Sequence, residues 1–455
     1  MLNSEKMIAS LDQGDLDHAN KYFKKALAND DAETLLSLAQ YLESIGFLPQ
    51  AKEIYLQELA TYPDVAINLA QIAAEDGQLE EAFGYLDTIG PDDENYLSAL
   101  MVMADLYDME GLSDVAREKM LEASQISQEP LVLFGLAELD YQLENYDQAI
   151  KEYAQLDNRD ILETTGISTY QRIGRAYASL GKFEAAIEFL EKAVQIEYED
   201  ATVFELATIL YDQEEYQKAN LYFKQLDTMN PDFEGYEYVY ALSLHEEHRI
   251  QEALKLAQQG LSKNEFDSRL LLLASQLSYE NHDSKAAESY LLSAKDLVED
   301  LEEVLMRLSN LYLEEERYQD VLALEQEDID SVLTKWNLAK AYQALDREEE
   351  ALEHFQAIAE DLKDNPEFLQ DYAYILREFG YRDRARQIAQ HYLQLVPDDM
   401  NMADFLTDEN WTISWASKGA FLLCKNNIMT KKLQYYKAML KTLFPSAIIS
   451  LEINS

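Results

Sequence analysis

The chain has 455 residues, of which 47% are hydrophobic and 27% are charged, so its composition is that of a folded protein. Acidic residues outnumber basic residues by 87 to 37, and the net charge of −50 repels nucleic-acid phosphates, which disfavours a nucleic-acid partner. Only 14 Gly and 8 Pro are present, too few for the tight turns of a large β protein, so the composition predicts an all-α fold.

The sequence also predicts where the protein works. Residues 1–17 contain four acidic residues and no apolar run of signal-peptide length. No stretch reaches the uncharged apolar length of a membrane span. A single cysteine, Cys424, excludes an internal disulfide framework and a multi-cysteine metal or iron–sulfur site. We therefore expect a cytoplasmic protein without a transmembrane segment.

A pattern of bulky and small residues recurs along the chain. It is clearest in one unit, which contains in order Tyr170, Ile173, Gly174, Tyr177, Ala186, Leu190 and Ala193. Numbered within the unit, a bulky residue stands at position 4, a small residue at position 8, an aromatic residue at position 11 and alanine at position 20. This pattern resembles the tetratricopeptide repeat (TPR), except that Tyr replaces Trp at position 4 and Leu replaces Phe at position 24.

Twelve repeats of this kind can be aligned. Their position 20 falls on Ala19, Ala51, Ala82, Ala116, Ala149, Ala186, Ala219, Ala253, Ala286, Val321, Ala351 and Ala385. Position 8 of repeats two to twelve is always small, at Ala39, Ala70, Ala104, Ala137, Gly174, Ala207, Ala241, Ala274, Ser309, Ala339 and Ala373. Position 15, the turn between a repeat's two helices, is glycine at Gly14, Gly46, Gly77, Gly111, Gly181 and Gly380. A larger side chain at position 8 or 20 would overpack the helix crossing, at a cost of roughly 1–3 kcal/mol.

The resemblance implies an all-α protein, an α-α superhelix (TPR solenoid) of about twelve helix-turn-helix repeats over residues 1–409. Repeat one is expected to be a degenerate terminal repeat without a good first helix before Leu11. About three extra residues near 158–166 lengthen one spacing to 37, which indicates a variable loop or a hinge. Residues 398–406 are expected to form a short closing helix.

The composition changes in an atypical basic C-terminal segment, residues 410–455. Residues 411–455 hold six Lys and one acidic residue, Glu452, so they carry +5 while the preceding residues carry −55. Apolar residues at helical spacing from Lys431 to Phe444, followed by Pro445, predict a short basic amphipathic helix. Three interpretations stay open: a poorly ordered or unrelated extension, a segment that docks on the acidic repeats, and a segment that contacts an anionic membrane surface.

No motif in the sequence indicates catalysis or a cofactor. The close histidine pair, His245 and His248, lacks the i, i+4 spacing of a zinc helix, and the repeat register places His248 in a turn. The run from Leu180 to Phe183 contains Gly-Lys but lacks the other residues of a phosphate-binding loop. We therefore predict a protein that is not an enzyme and has no catalytic residue, metal or cofactor.

The resemblance implies that positions 2, 5, 9 and 12 of each repeat's first helix line a concave groove. The candidate partner-binding residues at these positions are Met101, Asp105, Asp108, Phe134, Glu138, Tyr141, Arg175, Phe204, Tyr211, Tyr238, His245 and Trp336. The set is aromatic with an acidic patch, which favours an extended or helical peptide as ligand. Alternatively, several of these rings pack against the adjacent helix. The charge favours protein or peptide ligands that are basic or amphipathic.

These features favour a cytosolic scaffold or adaptor that binds protein segments and has no chemistry of its own. Two alternatives stay open. One is a peptide-responsive regulator whose superhelix closes on a signalling peptide, and the other is an assembly factor for a membrane-associated enzyme complex, tethered through the basic segment. Apart from the basic C-terminal segment, the chain resembles the acidic, repeat-only cytosolic TPR proteins of Gram-positive bacteria.

Overall fold

A computed structural model of the chain describes residues 2–327 and 329–407. The regular structure of these residues consists of 26 α-helices and two short 3-10 helices, without a strand, so the predicted all-α class is confirmed. Residue contacts divide the chain into two compact bodies, here called the N-terminal body, residues 1–243, and the C-terminal body, from residue 244. The basic C-terminal segment and its predicted helix at 431–444 lie outside the described residues.

The helices follow one another as pairs, one pair to a repeat. In the N-terminal body they are α1 (Asn3–Asp12) and α2 (Leu16–Asn29), α3 (Ala32–Ser44) and α4 (Leu48–Glu58), α5 (Ala66–Glu75) and α6 (Leu79–Leu86), α7 (Tyr96–Met109) and α8 (Ser113–Ile126), α9 (Pro130–Gln142) and α10 (Tyr146–Tyr153), the unpaired α11 (Asn158–Thr165), α12 (Thr169–Ser179) and α13 (Phe183–Ile196), and α14 (Asp200–Asp212) and α15 (Tyr216–Met229). A 3-10 helix, Pro63–Val65, precedes α5.

Repeat eight consists of α16 (Tyr236–Glu246), within which the two bodies divide, and α17 (Ile250–Lys263). The remaining helices are α18 (Ser268–Glu280) and α19 (Ser284–Ala294), α20 (Leu301–Glu314) and α21 (Tyr318–Ala323), α22 (Val332–Ala344) and α23 (Glu348–Ala357), α24 (Pro366–Glu378) and α25 (Arg382–Leu395), and α26 (Met400–Thr407). The second 3-10 helix, Leu324–Gln326, follows α21. The described residues thus contain twelve pairs, followed by α26 where a short closing helix was expected.

Local sequence explains where several helices begin. Asp31 accepts a hydrogen bond from the backbone nitrogen of Thr34, 3.0 Å away, at the start of α3. Asn365 accepts one from the nitrogen of Phe368, at 3.1 Å, before α24, whose first residue is Pro366. These side chains satisfy N–H groups that have no partner within the helix, and proline has no N–H to satisfy.

Small residues lie where the two helices of a repeat cross. In repeat six, Gly174 of α12 faces α13. A Cβ atom added to Gly174 would lie 2.7 Å from the Cγ of Leu190 and 3.2 Å from its backbone nitrogen. Ala186 is fully buried in the same repeat. The predicted close approach at positions 8 and 20 is therefore present in the folded chain.

Each of the twelve repeats turns on a residue with positive φ at position 15. Six are the predicted glycines, and the other six are Glu144, Glu214, His248, His282, Glu316 and Asp346, with φ between 57° and 60°. This conformation costs a residue with a Cβ atom roughly 1–2 kcal/mol. Packing of the helix pair therefore imposes the turn even where glycine is absent.

Repeat one corrects an expectation, because it has a complete first helix. Met7 in the middle of α1 is only 2% exposed. The start of the helix is held by Asp30, whose Oδ2 accepts a hydrogen bond from the backbone nitrogen of Ser4 at 2.8 Å. The interpretation of repeat one as a unit lacking its first helix was wrong.

The extra residues between repeats five and six form the helix α11, where a variable loop was expected. Asp157 caps this helix by accepting a hydrogen bond from the nitrogen of Arg159 at 2.8 Å. Ile161 is 1% exposed and fixes α11 to the core. The insertion is therefore a packed element of the N-terminal body.

The register of repeat nine differs by one residue from the register that the sequence pattern predicts. Ala287, not Ala286, is the buried residue at position 20, with 1% exposure. Position 8 is Ser275, which lies seven residues before the turn at His282 as in the other repeats. The two consecutive alanines concealed the shift, because either one satisfies the sequence pattern.

Candidate binding surface

Six helices of the N-terminal body carry positions 5, 9 and 12 of successive repeats. They are the first helices of repeats two to seven, here called the first-helix row: α3, α5, α7, α9, α12 and α14. Neighbours in the row are joined by polar side chains. Asn68 of α5 donates to Glu43 of α3 at 3.2 Å, and Gln142 of α9 donates to Asp108 of α7 at 3.0 Å. Within each helix, positions 5, 9 and 12 share one face.

Ion pairs between neighbouring helices occupy the second half of the row, α9, α12 and α14, here called the closed section. Arg172 donates two hydrogen bonds to Glu138, at 2.9 and 2.8 Å. Arg175 donates from Nε to the Oε2 of Glu205 at 2.6 Å. All four side chains are between a fifth and a third exposed. These charges therefore satisfy one another on a partly dehydrated surface.

Tyr141, a predicted contact residue of the closed section, is also engaged within the protein. The guanidinium carbon of Arg172 lies 5.4 Å from the centre of its ring. The ring of Tyr146 packs edge-on at 5.5 Å. Burial raises the pKa of Tyr141 above its ordinary value. A ligand would have to compete with both neighbours for this ring.

Two phenylalanines expected on the surface pack against neighbouring rings. Phe134 is only 8% exposed and lies 6.1 Å from the ring of Tyr153, so the structure places it in the core. Phe204 is half-buried and lies 5.4 Å from Phe233. The alternative that some rings pack against adjacent helices therefore holds for this pair.

The last aromatic candidates of the N-terminal body are half-buried. The ring of Tyr211 lies 5.8 Å from the ring of Tyr216, at the same repeat positions as Tyr141 and Tyr146 two repeats earlier. Tyr238 of α16 is half-buried as well. Each ring therefore keeps part of its surface accessible to solvent.

The first half of the row, α3, α5 and α7, has a different character and is here called the open section. Among its described residues, no ion pair joins one helix of the section to another. Met101 is half-buried and Asp105 is exposed. Asp108 accepts a hydrogen bond from the Oγ of Ser113 at 2.7 Å. Desolvation by the surrounding protein and the charge of Asp108 raise the pKa of Asp105.

In the C-terminal body, the structure places the two remaining candidates in separate contacts. The Nε2 of His245 lies 2.8 Å from the Oε2 of Glu280 in α18. Trp336 is 6% exposed and therefore belongs to the core, where its indole N–H donates to Asp371 at 3.2 Å. The Nζ of Lys340 lies 3.8 Å from the centre of the indole ring.

A buried charge cluster between repeats four and five was not predicted. Arg117 donates two hydrogen bonds to the fully buried Asp140, at 2.6 and 3.0 Å. Nearby Glu152 is 4% exposed and accepts a hydrogen bond from Gln148 at 2.8 Å. Burial, with the charge of Asp140, raises the pKa of Glu152 to about 7, while the hydrogen bond from Gln148 and the charge of Arg117 oppose the shift. The sequence did contain an indication, since Asp140 stands at position 11, where the pattern has an aromatic residue.

In the described part of the chain, no three His, Cys, Asp or Glu side chains are arranged to hold a metal ion. No described helix is both long enough and apolar enough to cross a bilayer.

Three family profiles match parts of the chain, and each describes the same kind of repeat. Residues 108–161 match "YpiA-like, tetratricopeptide repeats", residues 167–200 match "Tetratricopeptide repeat", and residues 333–399 match "YpiA-like, C-terminal tetratricopeptide repeats". The middle match contains α12 and α13, the pair in which Gly174 faces Leu190. The chain therefore contains tetratricopeptide repeats. Proteins built from such repeats are in general non-catalytic, and the repeats support a role as a protein–protein interaction scaffold.

Individual relatives resemble this TPR chain to different extents. The TPR repeat-containing protein YpiA of Bacillus subtilis (strain 168) is 28% identical over 331 residues, which are 72% of this chain and 78% of that protein. The crystal structure of YrrB, described as a TPR protein with an unusual peptide-binding site, is 18% identical with a TM-score of 0.35, over 40% of this chain and 94% of that one. The structure of Naa15/Naa10 bound to HypK-THB is 15% identical with a TM-score of 0.41, over 82% and 64% of the two chains.

Proposed function

We propose that this TPR protein is a non-catalytic adaptor that binds protein or peptide segments along the first-helix row. The observation that carries the proposal is the row itself. Six first helices come from consecutive repeats, and a hydrogen bond such as that from Asn68 to Glu43 joins neighbouring helices of the row. A partner polypeptide that lies along the row can contact several repeats at once.

The accessible side chains of the row are of kinds suited to binding polypeptides. Half-buried tyrosines such as Tyr141 and Tyr211 offer apolar area together with a hydroxyl group. Residues 1–410 carry a net charge of −55, which attracts basic or amphipathic segments and accelerates their encounter at low salt. The partners that we propose are therefore proteins with basic or amphipathic segments.

Affinity capture with matched variants tests the proposal. The wild-type protein, an open-section variant (Gln40→Ala, Gln71→Ala, Asp105→Ala) and a closed-section variant (Tyr141→Ala, Phe204→Ala, Tyr211→Ala) are immobilised in equal amounts. A control variant changes the exposed Leu56, Leu121 and Leu221 of second helices to Ser. Recovered proteins are quantified by mass spectrometry, and circular dichroism checks that each variant is folded.

The proposal predicts that at least one of the two row variants loses proteins that the wild type and the control variant both retain. It is contradicted if neither row variant changes what is recovered, or if the control variant alone loses the bound proteins. Titration of a folded row variant against a partner recovered by the wild type then measures the loss of affinity directly.

A further inference from the structure

We propose that the open section docks an extended polypeptide segment that carries both apolar side chains and a lysine or arginine. This inference rests on the proposed function and deepens it, because it assigns binding to α3, α5 and α7 and names the chemistry of the bound segment. Four features of the section support it. No ion pair joins its described helices, and it has an apolar strip, exposed amides and an acidic end.

The closed section is a poor place for a charged ligand, because its charges already have partners. A ligand carboxylate that approached Arg172 would have to displace Glu138, which holds the guanidinium with two hydrogen bonds. A ligand cation that approached Glu205 would have to displace Arg175. Each exchange replaces one ion pair with another and gains little free energy. The open section has no such pairs between its described helices.

Position 5 of the open section provides an apolar strip. Leu36, Ile67 and Met101 occupy this position in α3, α5 and α7, and all three are half-buried. One side of each side chain packs against a core cluster, and the rest stays accessible. Apolar side chains of a partner would remove this remaining area from water, at roughly 25 cal/mol per Å².

Position 9 provides exposed amides, which favour an extended segment over a helical one. Gln40 and Gln71 are exposed, one helix apart, and make no hydrogen bond with other described residues. A carboxamide carries both donors and an acceptor, so it matches the N–H and C=O groups of a peptide backbone. Only an extended backbone offers those groups, since a helix satisfies its own.

The third member of the position 9 series is acidic. Asp105 is exposed and has no hydrogen-bond or ion-pair partner among the described residues. The nearby carboxylate of Asp108 repels it, which contributes to the raised pKa of Asp105. A lysine or arginine side chain placed here would relieve the repulsion and gain two carboxylates as partners. The apolar strip at position 5 and the carboxylate at position 9 thus favour a bound segment that contains both apolar and cationic side chains.

Selection from a random library of 12-residue peptides displayed on phage tests this inference with the full-length protein. The wild type is compared with Asp105→Lys and with Glu118→Lys, a matched control that makes the same charge change on the exposed face of the second helix α8. The wild type and the control are expected to enrich peptides that combine apolar residues with Lys or Arg. The best selected peptide, synthesised and titrated by fluorescence anisotropy, should bind Asp105→Lys about tenfold more weakly than the control, or about 1.4 kcal/mol.

Three results would overturn the inference: peptides enriched without a cationic residue, equal affinity for Asp105→Lys and the control, or no enrichment by the wild type. The capture experiment distinguishes this failure from failure of the proposed function. If no peptide is enriched but the closed-section variant loses bound proteins, the adaptor function stands and the open-section site is wrong. If neither row variant loses proteins either, both are wrong.

Discussion

Arg172 and Glu138 are 34 residues apart in the sequence, yet their side chains form two hydrogen bonds, at 2.9 and 2.8 Å, between α12 and α9. The pair joins repeats five and six across the inserted helix α11. Glu138 also accepts a hydrogen bond from the hydroxyl of Tyr153 in α10. One carboxylate therefore connects three helices of two repeats.

Removing Arg172 should weaken this junction. We expect Arg172→Ala to lower the free energy of unfolding by about 1–3 kcal/mol, because it leaves a partly buried carboxylate without its main partner. Urea unfolding measures the loss, and hydrogen exchange should accelerate in α9 and α12. Arg159→Ala is the matched control, since the Arg159–Glu163 pair is 84% and 72% exposed, and its loss should cost less than about 0.5 kcal/mol. Equal losses of unfolding free energy in the two variants would contradict a stabilising role for the Arg172–Glu138 pair.

The helix crossing at Gly174 gives a second prediction. Gly174→Ala should destabilise the protein by about 1–3 kcal/mol, because the new methyl group meets the Cγ and backbone nitrogen of Leu190. Gly84→Ala in α6 is the control, since a Cβ atom there has no neighbour within 4 Å. That change should stabilise α6 by about 0.5–1 kcal/mol. Differential scanning calorimetry should show melting temperatures that move in opposite directions, and two shifts of the same sign would reject the steric argument.

The left-handed turns without glycine give a third prediction. Glu214 has φ 60°, and Glu214→Gly should raise the free energy of unfolding by about 0.5–1 kcal/mol, since glycine adopts this conformation without strain. The preceding residue, Gln213, has φ −89°, so Gln213→Gly should not stabilise the protein. Guanidinium unfolding of the two variants compares them. A gain of stability from both changes would mean that the turn is not strained.

Glu152 gives a prediction about pH. Its pKa is about 7 in the folded protein and near 4.5 when unfolded, so the folded state holds the extra proton between these values. Through this group, stability is highest at low pH and falls by about 1.4 kcal/mol per unit as pH rises through that window. Glu152→Gln removes the titration. The drop in unfolding free energy between pH 5 and pH 8 should therefore be smaller in this variant than in the wild type by about 2–3 kcal/mol.

The control for this experiment is Glu118→Gln, an exposed glutamate on α8 that should leave the pH dependence as it is. The other charged groups of the cluster, Asp140 and Arg117, are retained in both variants. If Glu152→Gln and the wild type lose the same stability between pH 5 and pH 8, the buried carboxyl group does not hold a proton at neutral pH.

The repeat pattern made the fold predictable, because steric constraints at positions 8 and 20 recur in every repeat. The constraint is local, so small residues such as Gly174 and Ala186 indicate a crossing without any knowledge of the rest of the chain. The pattern gave wrong predictions at two places. Ala286 and Ala287 fit position 20 equally well, and the residues of α11 had no counterpart in the other repeats.

The binding surface was less predictable, since repeat positions give the face of a helix but not the contacts of its side chains. Phe134 and Trp336 stand at positions expected to face a ligand, but each packs on a ring of its own repeat or the next one, Tyr153 and Phe368. Arg172 was not a candidate at all. Its partner lies in another repeat, and no local pattern links two residues so far apart in sequence.

Site-specific photocrosslinking in cells tests the adaptor proposal most directly. A photoreactive amino acid is placed at Gln71 in the open section, at Tyr211 in the closed section, or at Leu221, which is 69% exposed on the second helix α15. The proposal predicts discrete adducts with other polypeptides from Gln71 or Tyr211, identified by mass spectrometry, and none from Leu221. Adducts from Leu221 with none from either position of the row would contradict it.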